Sequence, residues 1–408
     1  MESENAPVVR GSTIIDMKSL FKYFRVTFFF ILLLLYTLYD YMNSSNAGFD
    51  DSNRGGVYLF LLLIVGYCIL YLFFRIPKDF LSPAFTKAMV ALVIWILLCN
   101  IMTERMGWVM GVHLFMSIWW ICTYYFFYVY CSTNPGSSDY IIAIFSLMLI
   151  LYLYFSVTSQ TRIQLNRDTD HAVLNYAYNI LAFVPIVLLI KNKVIRYVLL
   201  LLAIGALFFS FKRGPLVILP AMCVFYQLGQ SNSKKGTVSR IINLIVILVL
   251  FLAVFAIADK ASGGFLSSRF SRSELQYGST RNELWATAIA DIRSRDFFTL
   301  LIGKGSGSSI ELLTSGVHNE WLEFLFSFGI IGVILYFIFG VSLLGKFNKM
   351  RKNYSTYAPI MGILTAFFWM VGLFSGFYFV HASFYFFAML GMIDAFEKNR
   401  LYERRQSD

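Results

Sequence analysis

Charge is scarce in this 408-residue chain: Asp, Glu, Lys and Arg together make up 14% of it, against 58% hydrophobic residues. Long apolar runs recur with short polar gaps, which identifies a polytopic membrane protein rather than a solvated globular domain. The five cysteines (Cys68, Cys99, Cys122, Cys131 and Cys223) lie in or at the ends of those runs with no metal-ligand spacing. That excludes a disulfide framework and a zinc site, and no metal or other cofactor is expected. The apolar runs lack the alternation of barrel strands, and helices are then the remaining way to satisfy backbone groups in lipid. No aromatic-basic surface motif accompanies the net charge of +11, so nucleic acid is not an expected partner. No cleavable signal peptide is expected either, because the first apolar run is long enough to span and lacks a small-residue cleavage site.

What remains is an all-α transmembrane bundle. With about 20 apolar residues needed per crossing, spans are predicted near 26–42, 57–74, 88–103, 107–130, 140–158, 171–190, 194–211, 214–229, 241–258, 318–345, 357–377 and 378–395, about twelve in all. The chain divides into helices 1–9 (1–258), one long polar insertion with a short amphipathic helix (259–317), and helices 10–12 with a charged tail (318–408). Basic clusters such as Lys18/Lys22/Arg25, Lys191/Lys193/Arg196 and Lys346/Lys349/Arg351/Lys352 place both termini in the cytoplasm and the insertion outside. The loop 131–139 carries no Lys or Arg and gives that crossing no support of its own. His113, His171, His318 and His381 all fall near the outer helix ends, and imidazole is the side chain suited to proton transfer near neutral pH.

Three outer stretches carry candidate chemistry. In Ser210–Pro215 the turn needs only Gly214 and Pro215, leaving Lys212 and Arg213 to snorkel to lipid phosphate or to grip an anionic head group. Thr280 and Glu283 form a capping-box pattern opening a helix to about Ile292, with Leu284, Ala288, Ile289 and Ile292 on an apolar face. That sets Arg281 at a helix N-terminus, the wrong end for a cation and the right one for holding an anion. Gly303–Ser308 resembles a phosphate loop superficially, lacks the Walker spacing, and reads as a flexible hinge. The third stretch, His318-Asn319-Glu320-Trp321-Leu322-Glu323, places an imidazole at the membrane edge where partial desolvation favours the neutral form, with Glu320 and Glu323 beside it. Glu323 can equally pair with an arginine of the loop. Trp108, Trp285 and Trp321 could stack on sugar rings or form the interfacial belt common to membrane proteins.

The Lys212-Arg213-Gly214 hairpin, the Arg281-x-x-x-Trp285 pattern, the Gly303-x-Gly-x-Gly stretch and the run His318-Asn319-x-x-Leu322…Gly329-Ile330-Ile331-Gly332 together resemble the O-antigen ligase and O-antigen polymerase superfamily, over roughly 205–335. The resemblance implies a GT-C-like, metal-independent, inverting glycosyltransferase of the bacterial inner membrane, working at its periplasmic face. The implied partners are an undecaprenyl-diphosphate-linked oligosaccharide, membrane lipid, a chain-length regulator and a flippase. By matching position Arg213 and Arg281 would hold the diphosphate and His318 would serve the attacking hydroxyl, with Lys212, Glu320, Glu323, Trp285 and Trp321 as further substrate contacts. Lys212 stands where small polar residues are usual, which leaves open which of Lys212 and Arg213 faces the phosphate. Polymerisation into O-antigen or capsule, and ligation to lipid A-core, differ in acceptor alone. A polysaccharide flippase would instead distribute charge through the helix centres.

Overall fold

A computed structural model describes residues 17–44, 55–75, 81, 83–104, 108–167, 170–230, 237–276, 281–313, 316–376 and 381–407. Among them the regular structure is helical throughout. The helices are α1 (Met17–Met42), α2 (Gly55–Phe73), α3 (Ala84–Met102), α4 (Trp108–Thr133), α5 (Ser138–Arg167), α6 (Tyr176–Leu189), α7 (Lys193–Phe209), α8 (Arg213–Gly229) and α9 (Thr237–Ala261). There follow α10 (Phe265–Ser268), α11 (Arg272–Gln276), α12 (Arg281–Ser294), α13 (Phe297–Ile302), α14 (Ser308–Leu313), α15 (Glu320–Lys352), α16 (Ala358–Phe374) and α17 (His381–Ser407). Every apolar segment read from the sequence contains helix. Six helices (α1, α2, α3, α5, α9 and α15) are long and apolar enough to cross a membrane, while α6 and α16 are apolar but shorter. The insertion holds several short helices, α10 to α14, where the sequence suggested one.

Lipid is as apolar as a leucine side chain, so helices in a bilayer associate by packing and ring geometry rather than by escape from water. Here the interior is aromatic. Trp120 stacks on Phe387 at 4.3 Å and Phe29 on Phe126 at 4.7 Å, joining α4 to α17 and α1 to α4. At one end of the bundle the polar contacts gather: Lys191 pairs with Asp139 at 2.7 Å, Tyr124 donates to the buried Asp394 at 2.8 Å, Lys346 pairs with the same carboxylate, and Lys398 meets Tyr128. Asp139 thus brings the uncharged loop 131–139 to the same end as the basic 191–196 cluster and the C-terminal part of α17.

The opposite end is organised by a break in α15. Gly329 has φ 65° and ψ −169°, a region open essentially to glycine alone. Gly303, with φ 83° and ψ −169°, lies against it, and a Cβ on Gly329 would stand 2.3 Å from the Leu301 oxygen. The break frees carbonyls that helices normally bond internally, and each finds a donor. Phe326 O accepts from Arg295 Nη1 at 2.7 Å, Ser327 O from Gly305 N at 2.7 Å, and Phe328 O from Trp95 Nε1 at 2.9 Å. Asn100 completes the dock, accepting from Ser306 N at 3.0 Å. Gly303–Ser308, expected to be a flexible hinge, is therefore a docked segment: the receptors were carbonyls of a distant helix that spacing alone does not reveal. Gly329→Ala is expected to cost about 1 to 3 kcal/mol from backbone strain alone, seen as a clear fall in the melting temperature of the detergent-solubilised protein.

Candidate functional site

Docking of the insertion brings together residues far apart in sequence. Lys212 is the N-cap residue of α8 and Arg213 its first helical residue. Lys212 Nζ donates to Asn175 Oδ1, just before α6, at 2.6 Å. Arg213 Nη1 donates to the carbonyls of Arg269 (3.0 Å) and Glu274 (3.4 Å), fastening α8 to the segment beyond α9. Arg269 pairs with Glu274. Arg281, first residue of α12, lies within electrostatic reach of Tyr178 of α6, whose hydroxyl donates to Phe374 O at the end of α16 at 3.3 Å. Thr280, the expected partner in a capping box, lies outside the described residues. Gly214 has a local reason to lack a side chain: a Cβ there would stand 2.2 Å from the Tyr178 hydroxyl.

His318 precedes α15 in a left-handed conformation, φ 56°, which is uncommon for a residue with a side chain. Its neighbour shows why it stays there. Val317 is fully buried, its N–H donates to Glu323 Oε2 at 3.1 Å, and its carbonyl accepts from Trp285 Nε1 at 2.8 Å. Asn319 caps α15 by accepting from Leu322 N at 3.1 Å. The backbone is thus pinned on both sides of the imidazole.

Several expected substrate contacts are occupied otherwise. Glu323 is buried and accepts from Ser309 Oγ (2.6 Å), Ser327 Oγ (2.9 Å) and Val317 N, with no arginine in that set. Trp285 spends its indole N–H on Val317 and packs with Leu284, Ile292 and the buried Ala288, Leu313, Val317 and Phe326, whereas Ile289, expected on that face, is exposed. Trp321 stacks on Trp369 at 5.3 Å. Glu320 is buried at the start of α15, beside Gly372 and Gly376. His171 bonds Ser262 O at 3.1 Å and packs on Phe211 and Phe265, an interfacial histidine tying α6 to the α9–α10 turn. The side chains of Trp108, His113 and His381 lie outside the described residues.

Cations dominate the electrostatics of the cluster. Lys212 feels Arg281, Arg269 and Arg213; Arg213 feels Arg269, the opposing carboxylate of Glu274, and Arg281; His318 feels Arg281 and Lys212. Burial first and these cations second lower the Lys212 ammonium from 10.5 to about 8. Desolvation, then Arg281 and Lys212, lower His318 from 6.5 to about 4. His318 as a residue remains exposed, so its desolvation is partial, and both contributions favour the neutral imidazole at pH 7. Neither a known protein-family model nor a curated protein matches this chain. Its chemistry is read from the site itself.

Arg269 is the member that sequence reasoning missed. It sits among Ser267, Ser268, Phe270 and Ser271 with no motif around it, and only its carboxylate partner five residues on, Glu274, hints that it is held in place. Such a cluster can bind a multiply charged anion, because guanidinium forks and an ammonium offer more donors than Glu274 consumes. Anion binding offsets the positive field, so it raises the pKa of Lys212 and the protein takes up protons. At about pH 8.5, where the lysine in the empty site is largely neutral, inorganic pyrophosphate binding to the solubilised protein is expected to show calorimetric heats that vary with buffer ionisation enthalpy. Lys212→Gln should lower the proton uptake, leaving only the exchange that pyrophosphate itself contributes.

Proposed function

We propose that this protein is a membrane-embedded glycosyltransferase that takes a glycan from a polyprenyl diphosphate and joins it to a sugar hydroxyl, as in O-antigen or capsule polymerisation. The observation that carries the reading is the convergence of Lys212, Arg213, Arg269 and Arg281 with a neutral His318 at one end of a helical bundle. In the finer form of the proposal about twelve helices cross the bacterial inner membrane, both termini are cytoplasmic and this end is periplasmic. That orientation rests on the basic residues at the other end.

The proposed reaction needs no metal. The acceptor oxygen attacks the anomeric carbon from the face opposite the diphosphate, the carbon–oxygen bond to phosphate breaks with inversion, and undecaprenyl diphosphate leaves with the bonding pair. Arg281 and its cationic neighbours stabilise the charge that gathers on the leaving group. His318 accepts the hydroxyl proton as the new bond forms. An imidazole at about 4 is a weak base while the site is empty. The diphosphate offsets the field of Arg281 and Lys212, the smaller of the two causes, so the base strengthens in part when donor is present while the desolvation that lowers it most remains.

Arg213 and Lys212 divide the work. Two carbonyl contacts give Arg213 a scaffold role in addition to its charge, so Arg213→Ala is expected to loosen the 265–276 segment and lower activity more than Lys212→Ala. Limited proteolysis of that segment beside a surface-glycan gel separates the two effects. In the native host a polymerase defect leaves lipid core carrying a single repeat unit, whereas a ligase defect leaves none attached and lipid-linked polymer accumulating. Normal glycan ladders in Arg213→Ala, Arg281→Ala and His318→Ala strains alike would overturn the proposal.

A further inference from the structure

At the end of the bundle opposite the cation cluster, a cavity of 530 Å³ opens between the start of α3, the last turns of α15 and α17. One face of α15 lines it: Ser342, Lys346, Lys349 and Asn353 recur at helical spacing, with Gly345 among them. Phe85 of α3 and Leu401 of α17 supply apolar walls. The charges around the cavity are unequally engaged. Lys346 pairs with Asp394, which also accepts from Tyr124 at 2.8 Å. Glu397 accepts from Arg400 at 2.7 and 3.0 Å, and from Ser355. Both carboxylates are thus neutralised by partners of their own. Lys349 is exposed and makes no ion pair among the described residues. The Lys346 ammonium has three donors, of which Asp394 uses one. α3 begins at the same cavity, and its N-cap, Pro83, has no side-chain acceptor for the first-turn amides, so the positive helix end adds to the field of the lysines. Membrane topology asks for basic residues on this side of the bilayer and not for their place on the face that lines a cavity.

A stripe on the same helix supplies the apolar half. Ile334, Ile338 and Val341 are each about half exposed, and steps of four and three residues lead from them to Gly345 and on to Lys349. From Ile334 to Gly345 the helix rises about 17 Å, close to the half-thickness of a hydrocarbon core, about 15 Å. We propose that this cavity binds the phosphate head of an anionic glycerophospholipid, with Lys349, Lys346 and Asn353 on the phosphate and glycerol oxygens and an acyl chain along the exposed stripe of α15. The site depends on these helices crossing a bilayer and is independent of the chemistry of the cation cluster. Charge selects the head: a zwitterionic head brings its own cation against Lys349, whereas a phosphodiester carrying neutral glycerol brings negative charge alone. A soluble phosphate ester would use the lysines and gain nothing from the stripe. Bound lipid joins α3, α15 and α17 at one end, so phosphatidylglycerol added to delipidated protein should raise the melting temperature.

The test uses the full-length protein in neutral detergent and, as probe, a phosphatidylglycerol with a photoreactive group on its glycerol head. Labelling should fall within 83–85, 342–353 and 397–401, in competition with phosphatidylglycerol and not with phosphatidylcholine. Lys349→Gln should weaken it about fivefold, the upper worth of one partly exposed ion pair, and Lys349→Arg should restore it. Gly345→Leu should abolish it. A Cβ added at 345 meets no atom within 4 Å, so the larger side chain fills the cavity without displacing the helix. Leucine is also the better helix former, and the melting temperature of this variant in lipid-free detergent should be no lower than that of the wild type. Equal competition by phosphatidylcholine, labelling elsewhere, or undiminished labelling of both Lys349→Gln and Gly345→Leu would overturn the site. Competition by glycerol 3-phosphate as strong as that by phosphatidylglycerol would overturn the lipid as its occupant.

Discussion

Replacing His318 by alanine is expected to lower glycan transfer by about 10²- to 10⁴-fold, the usual worth of a positioned general base, with donor binding retained. The imidazole is held where it is by contacts it does not itself make. Val317 is fixed through its N–H by Glu323 and through its carbonyl by Trp285, and Asn319 caps α15. Alanine at 318 keeps that frame, apart from the left-handed backbone at φ 56°, so the loss should fall on turnover rather than on affinity. Steady-state rates in membrane vesicles, with binding measured separately, separate the two. The acid side of the pH profile gives a second readout. In the empty protein the ring is lowered to about 4, and bound donor raises it. The acid limb of kcat should therefore lie at higher pH than that of kcat/KM, because kcat reports the donor complex and kcat/KM the free enzyme.

Arg281→Ala is expected to lower transfer by about 10²- to 10³-fold, comparable to removing one preorganised donor from a developing anion, and here affinity should fall as well. Arg281 is the cation that both Lys212 and His318 feel most strongly, and it lies within electrostatic reach of Tyr178. Its loss has a signed consequence: with less positive charge nearby, the pKa of Lys212 and of His318 both rise. The variant's residual activity should thus fall away at higher pH on the acid side than that of the wild type. Arg281→Lys should recover part of the lost rate and little of the geometry, since an ammonium cannot form the guanidinium fork.

The helical character was legible because hydropathy repeats at membrane length, and each apolar run contains helix among the described residues, six of those helices being long and apolar enough to cross a membrane. The inner face of the insertion was less legible. Ile289 has the right spacing for a buried position, yet Trp285 takes the inner place because its indole reaches the Val317 carbonyl. Glu323 reads on paper as half of an ion pair, whereas its oxygens serve two serines and a backbone amide. Of the site, Lys212, Arg213, Arg281 and His318 stood out because a charge at a tight hairpin or a helix start asks for a reason. Arg269, Tyr178 and Asn175 did not, since their roles depend on contacts between segments about 40 to 100 residues apart. Gly329 and Gly303 could be seen as glycines, but the close approach that requires them exists only once the two backbones meet.

The most direct test of the central claim is a comparison of undecaprenyl diphosphate with undecaprenol, which lacks the phosphates, for binding to the purified full-length protein. Cations converging on a diphosphate predict a strong preference for the phosphorylated lipid, weakened by added salt, and largely lost when Arg213 and Arg281 are both replaced by alanine. Equal binding of the two lipids, or a preference that survives both replacements, would contradict it.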